Sequence, residues 1–211
     1  MPPPRVLLVH GAATTARVWD RLVPLLTGLD VVAATRPSTG DLRRELDALG
    51  DAAGALVVGV SGGATLGLAL AATDVPLAGA VLHEPAVGSL VPGLLDHVVE
   101  GWRTGGVAGF GAALYGPTWR IDDAPDDHAA VGRDLAMFRA FEPAAPGAGQ
   151  GPVLVTVGGR SPRPRHTAAA ELHRRYGVAV RVLPGCGHYV QHDAPHALAA
   201  VVREMARVAA G

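Results

Sequence analysis

Apolar residues fall along the chain in short continuous runs, separated by longer stretches in which apolar and polar positions mix at helical spacing. The runs are Val6-Leu7-Leu8-Val9, Val31-Val32-Ala33-Ala34, Ala55 to Val60, Ala78 to Leu82, Val153 to Val157 and Val178 to Leu183. Each is short and apolar throughout, the pattern of a strand covered on both faces. Between them, the spacing predicts helices over Val18–Leu26, Asp41–Leu49, Gly62–Ala72, Pro164–Tyr176 and Pro195–Ala209. Strands alternating with helices imply an α/β fold: a doubly wound, mostly parallel sheet of about six strands, flanked by helices. Functional loops in such a sheet gather at the C-terminal ends of the strands.

One interval breaks the alternation. Residues 86–150 separate the fourth and fifth runs and read as an insertion of about three short helices. It carries an acidic loop (Asp122, Asp123, Asp126, Asp127) and six of the nine aromatics: Trp102, Phe110, Tyr115, Trp119, Phe138 and Phe141. These aromatics either pack the insertion onto the domain or line an apolar pocket beneath a cap, and one segment can do both. Gly147 to Gly151 reads as a flexible return to the sheet. The whole chain, 1–211, reads as one domain with the cap 86–150 inside it.

Composition narrows the partners. Of 211 residues, 49% are hydrophobic and 18% charged, with Lys+Arg 18 against Asp+Glu 19 and a net charge of −1. A charge so balanced argues against a nucleic-acid partner. Every cation is an arginine, and lysine and asparagine are both absent, which reads as codon bias. One cysteine, Cys186, permits no internal disulfide. Met1-Pro2-Pro3-Pro4-Arg5 leads into the first run without the apolar stretch of a signal peptide, and no run is long enough to span a membrane. A cytoplasmic protein without a membrane partner is expected, with oligomeric state left open.

The chemistry is concentrated at three places. Gly59-Val60-Ser61-Gly62-Gly63 follows the third run directly and opens a helix. A G-x-S-x-G turn in that context strains the serine backbone and exposes its oxygen, with small neighbours because larger ones collide. The helix that follows aims its N-terminal amides at the same point. His10-Gly11-Ala12-Ala13 follows the first run, and Gly185-Cys186-Gly187-His188 follows the last, ahead of Asp193-Ala194-Pro195. A serine hydroxyl is a weak nucleophile until a base takes its proton, and His188, in a glycine-bent loop, is the candidate base. Asp193 is placed to cap the final helix, with Pro195 in its first turn. His10 reads as a buried brace for its loop and Cys186 as a small filler. His188, His192 and His196 are spaced by four, but Pro195 interrupts any shared helix face, so no metal is expected.

In their order and spacing, from residue 5 to 207, these three motifs resemble the α/β-hydrolase superfamily. The resemblance implies Ser61 as nucleophile and His188 as base, with the backbone amides of Ala12 and Gly62 holding the oxyanion. No cofactor is implied. Thr14 and Trp19, next along the loop, are candidates for lining the acyl side, although Thr14 and Thr15 serve equally well as helix caps. The chain departs from the superfamily at the acid. The carboxylate usually follows the penultimate strand; here that strand leads into Gly158-Gly159-Arg160-Ser161-Pro162-Arg163, and Ser161 stands about where the acid belongs. Glu84, at the end of the fourth run, is the replacement candidate. A Ser61–His188 dyad assisted by Ser161 or water, and a chain that no longer hydrolyses, remain alongside it. Arg36, Arg160, Arg163 and Arg165 follow strand ends, where each either meets an anionic group on a substrate or is solvated.

The expected activity is hydrolysis of a small, partly apolar ester, thioester or lactone. The alternatives are a non-hydrolytic reaction on the same fold (carbon–carbon cleavage, cyclisation or elimination) and a small-molecule binding protein.

Overall fold

A computed structural model describes residues 4–211, apart from the side chain of Asp51. Met1, Pro2 and Pro3, read above as a start without a signal peptide, lie outside the described residues. Six strands form one sheet: β1 (Val6–Val9), β2 (Val31–Ala33), β3 (Leu56–Val60), β4 (Gly79–His83), β5 (Val153–Gly158) and β6 (Ala179–Leu183). Their order is β2-β1-β3-β4-β5-β6, and every pair is parallel. This is the doubly wound α/β sheet that the apolar runs predict, with the order reversing beside β1.

Alternation along each strand divides the core in two. Leu7 and Val9 of β1 face one side, where they join Val57 of β3, Leu82 of β4 and three helices: α1 (Leu42–Asp47), α2 (Gly62–Ala71) and, after the insertion, α5 (Arg163–Tyr176). Val6 and Leu8 face the other side and pack with Leu56, Val58, Val81 and the final helix, α7 (Pro195–Ala210). The central strands β1, β3 and β4 are buried at every position. The edge strands are not: β2 is half-covered, and β6 is mostly exposed, with Arg181 turned out to pair with Glu204 at 2.7 Å. Coverage on both faces therefore fails at the edges, where no neighbouring strand extends the helical layers.

The predicted helix Val18–Leu26 is instead two single 3-10 turns, Ala16–Trp19 and Val23–Leu26. Pro24 sits in the second turn; it lacks an N–H and crowds the preceding turn of a continuous helix. Near the C-terminus, a short helix α6 (Val190–Asp193) precedes α7. The N-cap of α7 is Ala194, without a side-chain cap, and Asp193 turns its carboxylate to Arg160 at 3.4 Å.

Residues 86–150 lie over the C-terminal ends of the strands. They contain α3 (Asp96–Tyr115), α4 (Ala129–Ala140) and 3-10 turns at Gly88–Leu90 and Ile121–Asp123. Gly106, at φ 56° and ψ −138°, breaks α3 into two helical halves. The return through Gly147–Gly151 is pinned and not flexible. The Gln150 side chain receives the Leu77 N–H and donates to the Thr73 and Val75 carbonyls, all within 3.0 Å. Among the described residues no helix is long and apolar enough to cross a membrane.

Candidate active site

The turn between β3 and α2 holds Ser61 at φ 57° and ψ −122°, a conformation that non-glycine residues avoid. Two glycines make the turn possible. A Cβ at Gly63 would overlap the Val9 carbonyl oxygen, and one at Gly59 would overlap the Gly63 carbonyl. The Ser61 N–H is tied to the His83 carbonyl at 2.9 Å, so the strain is held by the sheet. Above the turn, α2 contributes the positive end of its dipole.

Glu84 leaves the end of β4 at φ 51°, also left-handed, with its N–H on the Thr156 carbonyl at 3.0 Å. Its side chain is fully buried and both oxygens are engaged. Oε1 accepts the Gly158 N–H at 2.8 Å and the Ser161 hydroxyl. Oε2 accepts His188 Nδ1–H at 2.7 Å. Of the three arrangements open from the sequence, the structure brings Glu84 to the histidine. Ser161, standing at the customary position of the acid, donates to that carboxylate instead of replacing it. Burial pushes the Glu84 carboxyl upward, but the His188 hydrogen bond and the charges of His188, His83 and Arg165 outweigh it, holding the group below the usual carboxylate range.

His188 is brought up by the loop between β6 and α6. Burial first, and the Arg165 charge second, lower its pKa to about 4 against the pull of Glu84. The ring is therefore neutral at neutral pH, with its proton on Nδ1. Nε2 is buried and has no hydrogen-bond partner among the described residues. It is free to accept a proton.

His83, which the sequence reading passed over, braces this loop. It is fully buried, and its Nε2 lies 3.1 Å from the Gly187 carbonyl, a contact that requires an N–H there. Nδ1 then accepts from the Thr156 hydroxyl at 3.0 Å. The motif Leu82-His83-Glu84-Pro85 carried the signal, since both polar residues stand at the end of an otherwise apolar strand.

The loop after β1 and the turn after Ser61 carry one free donor each. Among the described residues, neither the Ala12 nor the Gly62 N–H has a hydrogen-bond acceptor. The loop is fixed from both sides. His10 Nδ1–H and the Thr14 hydroxyl donate to the Gly11 carbonyl at 2.9 and 3.0 Å. From the insertion, the Tyr115 hydroxyl donates to the Ala12 carbonyl at 2.6 Å and Trp119 Nε1 to the Ala13 carbonyl at 2.9 Å. His10 is a buried brace, as its position suggested, with its pKa pushed down to about 4 by burial and then by Arg36. Arg36 is itself locked by Glu45 and Asp134, at 3.1 and 2.9 Å.

Two expected lining residues stand elsewhere. Trp19 is 1% exposed and packs with Val6, Leu8 and Leu22 on the α7 side of the sheet. The 3-10 turn Ala16–Trp19 ends with its ring in the core. Thr14 is turned back onto its own loop and borders a separate cleft with Thr15 and Arg36. The cavity that does reach Ser61 is lined by Ala12, Gly62, Glu84 and Arg165 at its base. Leu95, Val98, Phe110, Leu114, Leu135 and Phe138 close it from the insertion. The volume open to the centre of a water molecule is about 20 Å³, room for about one water. Cys186 is buried against the Leu183 carbonyl, and burial pushes its thiol pKa up, as suits a filler.

A hydroxyl on a strained turn, a neutral imidazole tethered to a carboxylate, and two free amide donors are the parts that acyl transfer requires. Comparison with known proteins bears on the family and the fold. The family model described as "Alpha/beta hydrolase family" matches residues 6–201. No curated protein matches the sequence. Among solved structures, the chain is similar to a lipase-esterase related protein from Clostridium acetobutylicum, at 11% identity and TM-score 0.76, covering 95% of this chain and 93% of that one. It is also similar to the carboxylesterase CesB from Bacillus subtilis, at 15% identity and TM-score 0.68, covering 96% and 83%. The bottromycin epimerase BotH, bound to bottromycin A2, is similar at 21% identity and TM-score 0.68, covering 98% and 91%. At such identities the likeness is one of fold.

Proposed function

The chain belongs to the alpha/beta hydrolase family, and from that premise we propose that it is a serine hydrolase of small esters, thioesters or lactones. Ser61 is the nucleophile, His188 the general base and Glu84 the acid of a triad. The observation that carries this reading is the 2.7 Å contact between Glu84 Oε2 and His188 Nδ1, which leaves a neutral Nε2 without a hydrogen-bond partner among the described residues.

In this mechanism the Ser61 hydroxyl turns to Nε2 and gives up its proton as Oγ bonds to the substrate carbonyl carbon. The carbonyl electrons move to oxygen, and the Ala12 and Gly62 amides receive the oxyanion. Each such donor is typically worth about 3 kcal/mol. Glu84 stabilises the imidazolium without taking its proton. On collapse, the leaving group departs with the Nε2 proton. Water, deprotonated by the same nitrogen, then attacks the acyl-Ser61 ester; the acid is released and Ser61 recovers its proton. Only this chain's side chains and amides are used, and the substrate is the sole partner required.

The direct test is intact-mass labelling with a fluorophosphonate. One adduct on the wild-type chain, absent from Ser61→Ala, supports the reading. A folded wild-type chain that takes up no label refutes it. The fold similarity to an epimerase makes a non-hydrolytic reaction the second reading; a labelled serine together with released acid and alcohol from an ester excludes it.

A further inference from the structure

We propose that the acyl group of the substrate is short and carries a carboxylate, and that Arg165 is the residue that receives it. This rests on the reading of Ser61 as nucleophile and adds the substrate class.

Arg165 is an unusual cation. It is 4% exposed and lies in the first turn of α5, the end at which the helix dipole opposes positive charge. A guanidinium has five N–H donors. Arg165 makes one hydrogen bond, from Nη1 to the Glu84 carbonyl at 3.3 Å. Its Nε stands 3.7 Å from Glu84 Oε2, beyond hydrogen-bond reach, and that carboxylate is already occupied by Ser161, Gly158 and His188. Four donors thus have no acceptor among the described residues.

Arg36 supplies the contrast within the same molecule. It is equally buried, but Glu45, Asp134 and the His10 carbonyl all lie within 3.4 Å of its guanidinium. In Arg36 all three guanidinium nitrogens have a hydrogen-bond partner; in Arg165 only Nη1 has one among the described residues. Arg165 lines the cavity at Ser61, where it is the only cation among the lining residues, and a second, tighter pocket behind Glu84 that has no room for a water. The remaining walls are apolar, apart from Ser61, Thr65 and the engaged Glu84.

A planar, two-oxygen anion matches the unused fork. Ser61 and Arg165 line one and the same cavity, so a few methylenes join the scissile carbonyl to the carboxylate, packed against the Leu and Phe side chains of the cap. The substrate class is therefore the half-ester or half-thioester of a short dicarboxylic acid. The bound anion also offsets the Arg165 charge that, after burial, does most to depress His188. A charged substrate then meets a more basic histidine than a neutral one does.

The experiment compares kcat/KM for the phenyl monoester of glutaric acid with that for phenyl pentanoate, which has the same chain ending in a methyl group. Glutarate binding to Ser61→Ala is measured alongside by calorimetry. The wild type is expected to favour the charged ester roughly 10- to 100-fold, the range of a charge-assisted hydrogen bond. In Arg165→Met, that ratio is expected to fall to about one or below, while Arg165→Lys retains part of it. Using the ratio cancels general damage to the site, and the melting curve of each variant reports folding. Glutarate is expected to bind Ser61→Ala and not the double variant with Arg165→Met. A wild-type ratio near one, parallel loss on both esters in Arg165→Met, or no glutarate binding overturns the proposal. Failure of fluorophosphonate labelling with Arg165-dependent glutarate binding intact would instead overturn the hydrolase reading and leave the anion site standing.

Discussion

Replacing Glu84 by glutamine alters one atom of the site and little of its shape. The carboxamide oxygen remains able to accept the Gly158 N–H, 2.8 Å away, and the Ser161 hydroxyl. The new NH2 then faces His188 Nδ1, which donates across 2.7 Å in the native chain. Two donors cannot share that contact, so the imidazole proton moves to Nε2, and the nitrogen that must deprotonate Ser61 is blocked. The same exchange in the serine-protease triad lowers kcat about 10⁴-fold, so we expect a loss of roughly 10³- to 10⁴-fold, or about 4–5 kcal/mol of transition-state stabilisation. KM is expected to stay near its native value, because the carboxamide does not alter the walls of the cavity. The assay is steady-state hydrolysis of a phenyl ester, with the rate of fluorophosphonate capture as a second readout and thermal melting as the folding control. Wild-type kcat/KM should rise as pH increases through about 4, where His188 loses its proton. In Glu84→Gln that limb should lie lower still, because the carboxylate that supports the imidazolium is gone. A folded variant that retains kcat within about tenfold would refute the triad assignment.

Two further outcomes follow from buried charge. His10 and His188 have pKa values lowered from 6.5 to about 4, so the unfolded chain binds protons first as pH falls. Their contribution to stability is complete above 6.5 and is lost as pH falls through about 4. At about pH 4.5 the two together should cost roughly 5 kcal/mol, read as a lower urea midpoint than at neutral pH; equal midpoints would sink the argument. Arg36→Met strands Glu45 and Asp134 in the core without their cation. A loss of about 3–5 kcal/mol is expected in urea unfolding, and an unchanged midpoint would show that these ion pairs do not hold the cap to the sheet.

What could be read from the chain follows from how local each determinant is. The inner strands were legible because burial on both faces leaves a run of apolar letters, and the turn around Ser61 because a sharp strand-to-helix turn needs small residues at fixed places beside the serine, although the backbone that Gly63 clears is that of Val9, on a neighbouring strand. The edge strands and the segment after Thr15 were misread for different reasons. Coverage at an edge depends on the finished sheet, and the effect of Pro24 on helix continuity was outweighed by the apolar spacing around it. Glu84 could be named but not separated from a dyad, because its contact with His188 joins residues 104 positions apart. Arg165 was one of four arginines at strand ends. Only the packed structure distinguishes it from Arg36, whose three guanidinium nitrogens are all bonded, and from Arg160, which pairs with Asp193 at the surface. Trp19 illustrates the limit: six residues after Ala13, the chain has already turned into the core on the far side of the sheet.

The bonds from Tyr115 and Trp119 to the carbonyls of Ala12 and Ala13 make the cap a mechanical part of the loop beneath it. The carbonyls held in this way belong to the two peptides that directly follow the Ala12 N–H, and the residues that hold them lie 103 and 106 positions further along the chain. The shape of the oxyanion loop is therefore set partly by the packing of the insertion, so a substitution in α3 far from any reacting atom reaches the chemistry through the backbone.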